Sequence, residues 1–160
     1  MRNSIAVVLM GLLCVAAPVT AAPLDYSLPD LDGKTHSLAD YRGKWVIVNY
    51  WATWCPPCQA ELPDLVQFYE DNKNKGVVVL GVNTEDIGRD QLAQFVQTYL
   101  ISYPILRSAP IDSSPLGPVP GLPTTYVVAP DGEPVARQVG PVTSEQLTKY
   151  IARKRKEREK

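Results

Sequence analysis

The chain predicts an α/β domain built on a central mixed sheet flanked by helices. Three observations carry that prediction. Two apolar runs, at residues 45–51 (with only Asn49 polar) and 77–82, read as strands buried on both faces of a sheet. Segments with helical spacing follow each of them, which gives strand–helix–strand crossovers. Near the C-terminus, Pro130-Asp131-Gly132 joins two further strand-like runs as a hairpin. The length of 160 residues suits one domain.

The first element to be read is an address. Arg2 precedes an apolar run from Ile5 to Ala17, and Pro18, Val19, Thr20, Ala21 and Ala22 supply small residues for cleavage. Residues 1–22 therefore read as a signal peptide for export to the periplasm. An uncleaved membrane anchor is the alternative, but spanning takes about 20 apolar residues and this run is shorter. Leu13 before Cys14 argues against lipid attachment, so Cys14 is expected to leave with the signal. What remains has two cysteines, Cys55 and Cys58, and a net charge of −2. A near-neutral chain gives no reason to expect a nucleic acid partner. A single histidine, His36, excludes a His-rich metal site.

Residues 23–44 hold the turn dipeptides Pro29-Asp30 and Asp32-Gly33, which predict a short hairpin and then a helical turn at Leu38–Tyr41. Trp45–Trp51 is the first buried strand, broken only by Asn49. A helix is expected after Cys55. Pro56 and Pro57 suit a first turn, and Leu62, Leu65, Val66 and Tyr69 make one apolar face. Pro63 should kink it, and Asn74-Lys75-Gly76 should end it. Val77–Val82 is the second strand. A second helix is predicted over Gly88–Leu100 with Leu92, Phe95, Val96, Tyr99 and Leu100 on its apolar face. Tyr103–Leu106 reads as a short extended segment. Ser108–Gly121 carries Pro110, Pro115, Pro118 and Pro120 and predicts no regular structure; it reads either as a segment beside the functional site or as a tolerated surface insertion. Thr124–Ala129 and Glu133–Val139 are the hairpin strands. Thr143 with Gln146 is a capping box for a last helix whose apolar face is Leu147, Tyr150 and Ile151. Residues 23–152 form the domain in this reading, with helices on both faces of the sheet, and 153–160 a basic tail, the solvated, fraying end of the last helix.

The chemistry concentrates in Trp51-Ala52-Thr53-Trp54-Cys55-Pro56-Pro57-Cys58. A C-x-x-C pair between a strand and a helix is a redox signature. Free N–H groups and the positive helix end favour a thiolate on Cys55, and Cys58 lies one turn along, within reach of its sulfur. A structural zinc site needs four ligands, and the mature chain offers only these two cysteines and His36.

Several separated motifs resemble the TlpA-like thioredoxin-fold proteins, which include bacterial thiol–disulfide reductases of cytochrome c maturation. They are Arg42-Gly43-Lys44, the run from Trp45 to Cys58, Glu61, Pro63 and Gly121-Leu122-Pro123-Thr124-Thr125. The resemblance spans roughly residues 25–152. It implies a thioredoxin-like fold with an added N-terminal hairpin and an inserted helix, and no cofactor beyond a redox-active Cys55–Cys58 disulfide. Cys55 resembles the family's nucleophile and Cys58 its resolving thiol. Pro123 resembles its cis-proline, which would leave the Leu122 backbone free to pair with a substrate strand. Glu61 matches an acid that could move the Cys58 proton. Trp54, Pro56, Pro57 and Leu122 are expected to contact substrate, and Trp51 to pack. Asn49 stands where cytosolic thioredoxins keep a buried Asp.

The implied partners are a protein thiol or disulfide as substrate and a membrane thiol-transfer protein as electron donor, with the chain itself a monomer. Pro56 and Pro57 provide no N–H donors and no basic residue lies between the cysteines, so a reductant is expected. Two other functions compete. Peroxide-reducing redoxins share the fold but need Thr three residues before the reactive Cys, where this chain has Ala52. Copper-binding assembly proteins of this fold use C-x-x-x-C and a distant His, which this chain lacks after Cys58.

Overall fold

The computed structural model describes residues 26–158; the expected signal peptide lies outside them. The N-terminal hairpin is β1 (Ser27–Pro29) with β2 (Thr35–Ser37), paired antiparallel. Its turn is fixed by the Asp30 carboxylate, which accepts from the Asp32 and Lys34 amides at 2.9 Å each. A 3-10 turn over Leu38–Tyr41 follows, capped by Ser37. The remaining elements are β3 (Trp45–Trp51), α1 (Pro56–Asn72), β4 (Val77–Asn83), α2 (Arg89–Thr98), β5 (Ile105–Arg107), β6 (Ser113–Ser114), β7 (Gly117–Pro118), β8 (Thr124–Val128), β9 (Pro134–Val139) and α3 (Ser144–Arg158).

The central sheet has the order β5-β4-β3-β8-β9. β3, β4 and β5 run parallel, and β8 and β9 run antiparallel to their neighbours. This is the mixed α/β architecture that the strand and turn signals predict. The period of two along β3 divides the core. Trp45, Ile47 and Trp51 enter a cluster that also holds Leu62, Leu65 and Phe68 of α1, Leu92 of α2, and Leu147 and Ile151 of α3. Val46, Val48 and Tyr50 enter a second cluster with Tyr26, Leu38, Leu116 and Val119.

That division corrects the expectation of helices on both faces. All three α-helices bury their apolar residues on one face. The other face is covered by the N-terminal hairpin, the 3-10 turn and the Pro-rich segment. The segment 108–121 is therefore not a bare surface insertion. It holds the two-residue strands β6 and β7, and it buries Leu116 and Val119. The Tyr126 hydroxyl donates to the Pro118 carbonyl at 2.8 Å and ties it to the sheet. Prolines suit this role because their fixed φ lowers the cost of ordering an irregular covering.

α1 runs Pro56–Asn72 with Pro63 inside it, and Phe68 joins its buried face. Two further differences concern helices. α2 stops at Thr98, before Tyr99 and Leu100, which are exposed rather than part of its buried face; Leu100 is left-handed at φ 53°. The basic tail continues α3 as far as Arg158. It docks back on the domain: Arg155 donates to the Lys75 carbonyl at 2.7 Å, and Arg158 pairs with Asp131. The capping box forms, with Thr143 Oγ1 accepting from the Gln146 amide and Gln146 Oε1 from the Thr143 amide.

Candidate active site

β3 ends at Trp51, and a four-residue turn delivers Cys55 to the start of α1. Cys55 is the N-cap of that helix: its Sγ accepts from the Cys58 amide at 3.4 Å, the role usually taken by a serine or aspartate oxygen. Pro56 and Pro57 occupy the first two helical positions and have no N–H. The Gln59 amide bonds to the Cys55 carbonyl instead. One backbone donor thus serves the Cys55 sulfur. The two sulfurs are joined as a disulfide, with Cα atoms 5.2 Å apart. Both cysteines are buried, Cys58 completely. Trp54 beside them is 67% exposed, and Pro56 and Pro57 are exposed too.

Glu61 lies three residues after Cys58, so the two share a helix face. It is buried at 2% exposure. Its Oε1 accepts from Asn49 Nδ2 at 2.7 Å and its Oε2 from the Val142 amide at 2.9 Å. Burial pushes the carboxyl up from its ordinary 4.5 to about 7; the two hydrogen bonds work against that rise and the nearby Asp64 charge adds to it. Asn49, the polar interruption in the β3 apolar run, is thereby explained. It faces the helix side of the sheet and also donates to Thr125 Oγ1 at 3.0 Å. Asp64, one turn further along α1, accepts from the Ser144 amide at 2.9 Å and so joins α1 to the start of α3. The same helix face that carries Cys58 is thus bolted to both β3 and α3.

The Leu122–Pro123 peptide bond is cis. Pro123 is buried immediately before β8, and Leu122 is partly buried against both core clusters. Trp51 is wholly buried and packs on Phe95 with ring centroids 5.5 Å apart. It belongs to the core, and Trp54 is the indole on the surface.

Two residues that no sequence motif marks hold the turn before Cys55. Glu85 accepts from the Thr53 amide at 2.8 Å and from the Thr53 hydroxyl at 3.1 Å, while Asn83 donates to the same carboxylate at 2.7 Å. Gln59 donates to the Thr53 carbonyl at 2.6 Å and accepts from the Tyr99 hydroxyl at 3.2 Å. Both peptide groups of Thr53 are therefore satisfied from inside, and Trp54 is the residue left facing outward. The sequence hint was the Asn83-Thr84-Glu85 end of β4, which carries polar groups directly beside Trp51, the Cα partner of Asn83.

Among the described residues no group of three or more His, Cys, Asp or Glu side chains is arranged to hold a metal ion. No helix among them is long and apolar enough to cross a membrane.

Comparison with known proteins agrees with this geometry. Residues 19–133 match the AhpC/TSA family model. The thiol-disulfide oxidoreductase ResA of Geobacillus kaustophilus is 33% identical over 141 residues, covering 85% of this chain and 78% of that protein. A secreted thiol-disulfide isomerase from Corynebacterium glutamicum superposes with a TM-score of 0.71 at 33% identity, covering 77% of this chain and 78% of that one. A thiol:disulfide interchange protein of the thioredoxin family from Chlorobium tepidum gives 0.70 at 31% identity, covering 86% and 97%.

Proposed function

The chain belongs to the AhpC/TSA family and is a thiol–disulfide oxidoreductase of thioredoxin-like fold, and we propose that it works outside the cytoplasm as a reductant of protein disulfides. The observation that carries this is the sulfur environment. Cys55 is a helix N-cap with a single backbone donor, and a carboxylate is buried one turn behind Cys58. Few donors and a nearby negative charge both disfavour a thiolate, so the reduced form gains little and gives up its electrons readily.

In the proposed cycle, the Cys55 thiolate attacks one sulfur of a client disulfide. A Cys55–client bond forms, the client bond breaks, and the departing client sulfur takes up a proton. Cys58 then passes its proton to Glu61 and attacks Cys55 Sγ. The Cys55–Cys58 bond forms and the client leaves with its second thiol. Two electrons have moved from the protein to the client. A carboxyl near 7 is well matched to accept that proton at neutral pH. Pro123 faces the pair in this reading, and the Leu122 backbone pairs with the client strand.

Export rests on residues 1–22 and on the similarity to the Corynebacterium protein, which is secreted. In an oxidising compartment the spent disulfide must be reduced again, which calls for a membrane thiol-transfer protein. Apocytochrome c is the client class that the TlpA-like resemblance suggests. The test is a Cys58→Ser variant expressed with its N-terminal segment. Clients should accumulate as mixed disulfides on Cys55, identifiable by mass spectrometry. If no adduct forms on Cys55 in cells where the protein is folded and exported, the proposed cycle is wrong.

A further inference from the structure

Asn49 interrupts the apolar strand β3 and is wholly buried. A side-chain amide in such surroundings is costly unless both of its ends are bonded. Here only one end is bonded. Nδ2 donates to Glu61 Oε1 at 2.7 Å and to Thr125 Oγ1 at 3.0 Å, while Oδ1 is buried without a partner. Thr125 is the register partner of Asn49 on β8; on its other side the register partner is Gly81 of β4, which has no side chain to offer.

This one-sided bonding matters for the acid. With Thr125 taking its second N–H, the amide is fixed with its donor end toward Glu61; turned over, it would set Oδ1 against a carboxylate oxygen. An N–H bond to an ionised carboxylate is stronger than one to the neutral acid, so the contact favours the ionised form. Burial works the other way and holds the carboxyl well above its ordinary 4.5. Val142 donates through its backbone amide, so among the described residues Asn49 is the side chain that donates to this acid. The other titratable groups around Glu61 are Asp64 on the same helix, Tyr103 ahead of β5, and the cysteine pair one turn back. Asp64 pushes Glu61 toward its neutral form, and the Tyr103 phenol is itself pushed up by burial and stays uncharged. β3 and β8 contribute the uncharged Asn49 and Thr125.

We propose that Asn49, held by Thr125, is a positioning residue of the exchange reaction: it keeps Glu61 ionised, so that the carboxylate is ready to take the Cys58 proton. This deepens the reading of Glu61 as proton acceptor and rests on it. A carboxyl buried with the Val142 amide alone would hold its own proton at neutral pH and could not take another. The transfer itself is simple. The Cys58 S–H bond breaks, the proton goes to the carboxylate, and the sulfur keeps the electron pair with which it attacks Cys55 Sγ. Asn49 touches neither sulfur nor client in this step and acts only through Glu61.

The test follows two quantities against pH: the rate at which the reduced protein reduces a disulfide-bonded peptide, and the NMR shift of the Glu61 carboxyl carbon in the oxidised protein. In Asn49→Leu both midpoints should move to higher pH by about one unit, a tenfold rise in proton affinity. The rate at neutral pH then falls and recovers in alkali. Thr125→Val, which frees the amide to turn, should move both midpoints the same way by about half as much. Asn49→Asp keeps the size of the side chain and serves if Asn49→Leu does not fold. Its carboxylate shares one proton with Glu61, so the rate midpoint should rise further than in Asn49→Leu. In a Glu61→Gln background, Asn49→Leu should change the rate by less than about twofold at every pH, because its effect runs through Glu61. Midpoints that stay in place or move to lower pH in the folded variants overturn the proposal. So does an undiminished effect in the Glu61→Gln background, which would make Asn49 a packing residue only. If the wild-type carboxyl carbon titrates nowhere near neutrality, the reading of Glu61 as proton acceptor fails first and takes this inference with it.

Discussion

Replacing Glu61 by Gln tests whether the buried carboxyl carries a real electrostatic burden. The folded protein holds this group near 7 rather than 4.5. At 1.36 kcal/mol per pKa unit, that difference is worth roughly 3 kcal/mol. The sign follows from proton binding. Between about pH 4.5 and 7 the folded state keeps a proton that the unfolded state has released, so stability falls as pH rises. The contribution is fully present below the unfolded pKa and is lost as pH passes through the folded one. Gln does not ionise and escapes this loss, but it has its own cost. Both partners of Glu61, the Asn49 amide and the Val142 N–H, are donors. The Gln NH2 must face one of them, which forfeits a hydrogen bond and costs about 1–2 kcal/mol. The variant should therefore be less stable than the wild type by about that amount at pH 4.5, and more stable by roughly 1–2 kcal/mol at pH 8.5, with a crossover between. Urea denaturation of the two oxidised proteins across this range measures the difference directly, because other titrating groups cancel. Two parallel curves with no crossover would refute the reasoning.

Other consequences follow from packing and from the turn before Cys55. Gly81 in β4 has no room for a side chain: a Cβ there would lie 2.6 Å from Ile105 Cδ1 and 2.9 Å from Tyr103 Cε2, so Gly81→Ala should lower stability by about 1–3 kcal/mol, read from its urea midpoint. Leu116→Ala should cost about 2–4 kcal/mol if the Pro-rich segment truly covers the sheet, and near zero if it were a surface insertion. Glu85→Gln removes a carboxylate that accepts twice from Thr53; amide exchange at Thr53 should rise roughly tenfold, about 1.4 kcal/mol, as the local hydrogen bond weakens. The rate of client reduction should show an apparent pKa near 7 that disappears in Glu61→Gln.

Much of the fold could be read in the sequence because local and global signals agree there. Trp45–Trp51 is apolar on both faces because the sheet is covered on both faces. Thr143 and Gln146 cap a helix by local chemistry alone, and Asp32-Gly33 permits a turn that needs positive φ at Gly33. Cys55 and Cys58 were legible for the same reason: their spacing and their place at a helix start are local facts. What escaped was long-range. Turn residues in 108–121 announce the lack of regular structure, but they do not reveal that Leu116 and Val119 reach the core. Helical spacing extends through Tyr99 and Leu100, yet the helix stops at Thr98 and the spacing cannot show it. Glu85 acts on Thr53 from 32 residues away, and a single acid after a strand has no periodicity to betray it. Asn49 was visible as an interruption, while its partner became evident only when α1 was laid across β3.

The central claim is that Cys55 and Cys58 exchange electrons with protein disulfides in the reducing direction. Equilibration of the purified mature protein with glutathione redox buffers, with the Cys55–Cys58 state read by thiol alkylation and mass, tests it most directly. Reversible cycling with a potential more negative than about −200 mV is expected. A potential near −120 mV, or two thiols that do not cycle at all, would contradict it.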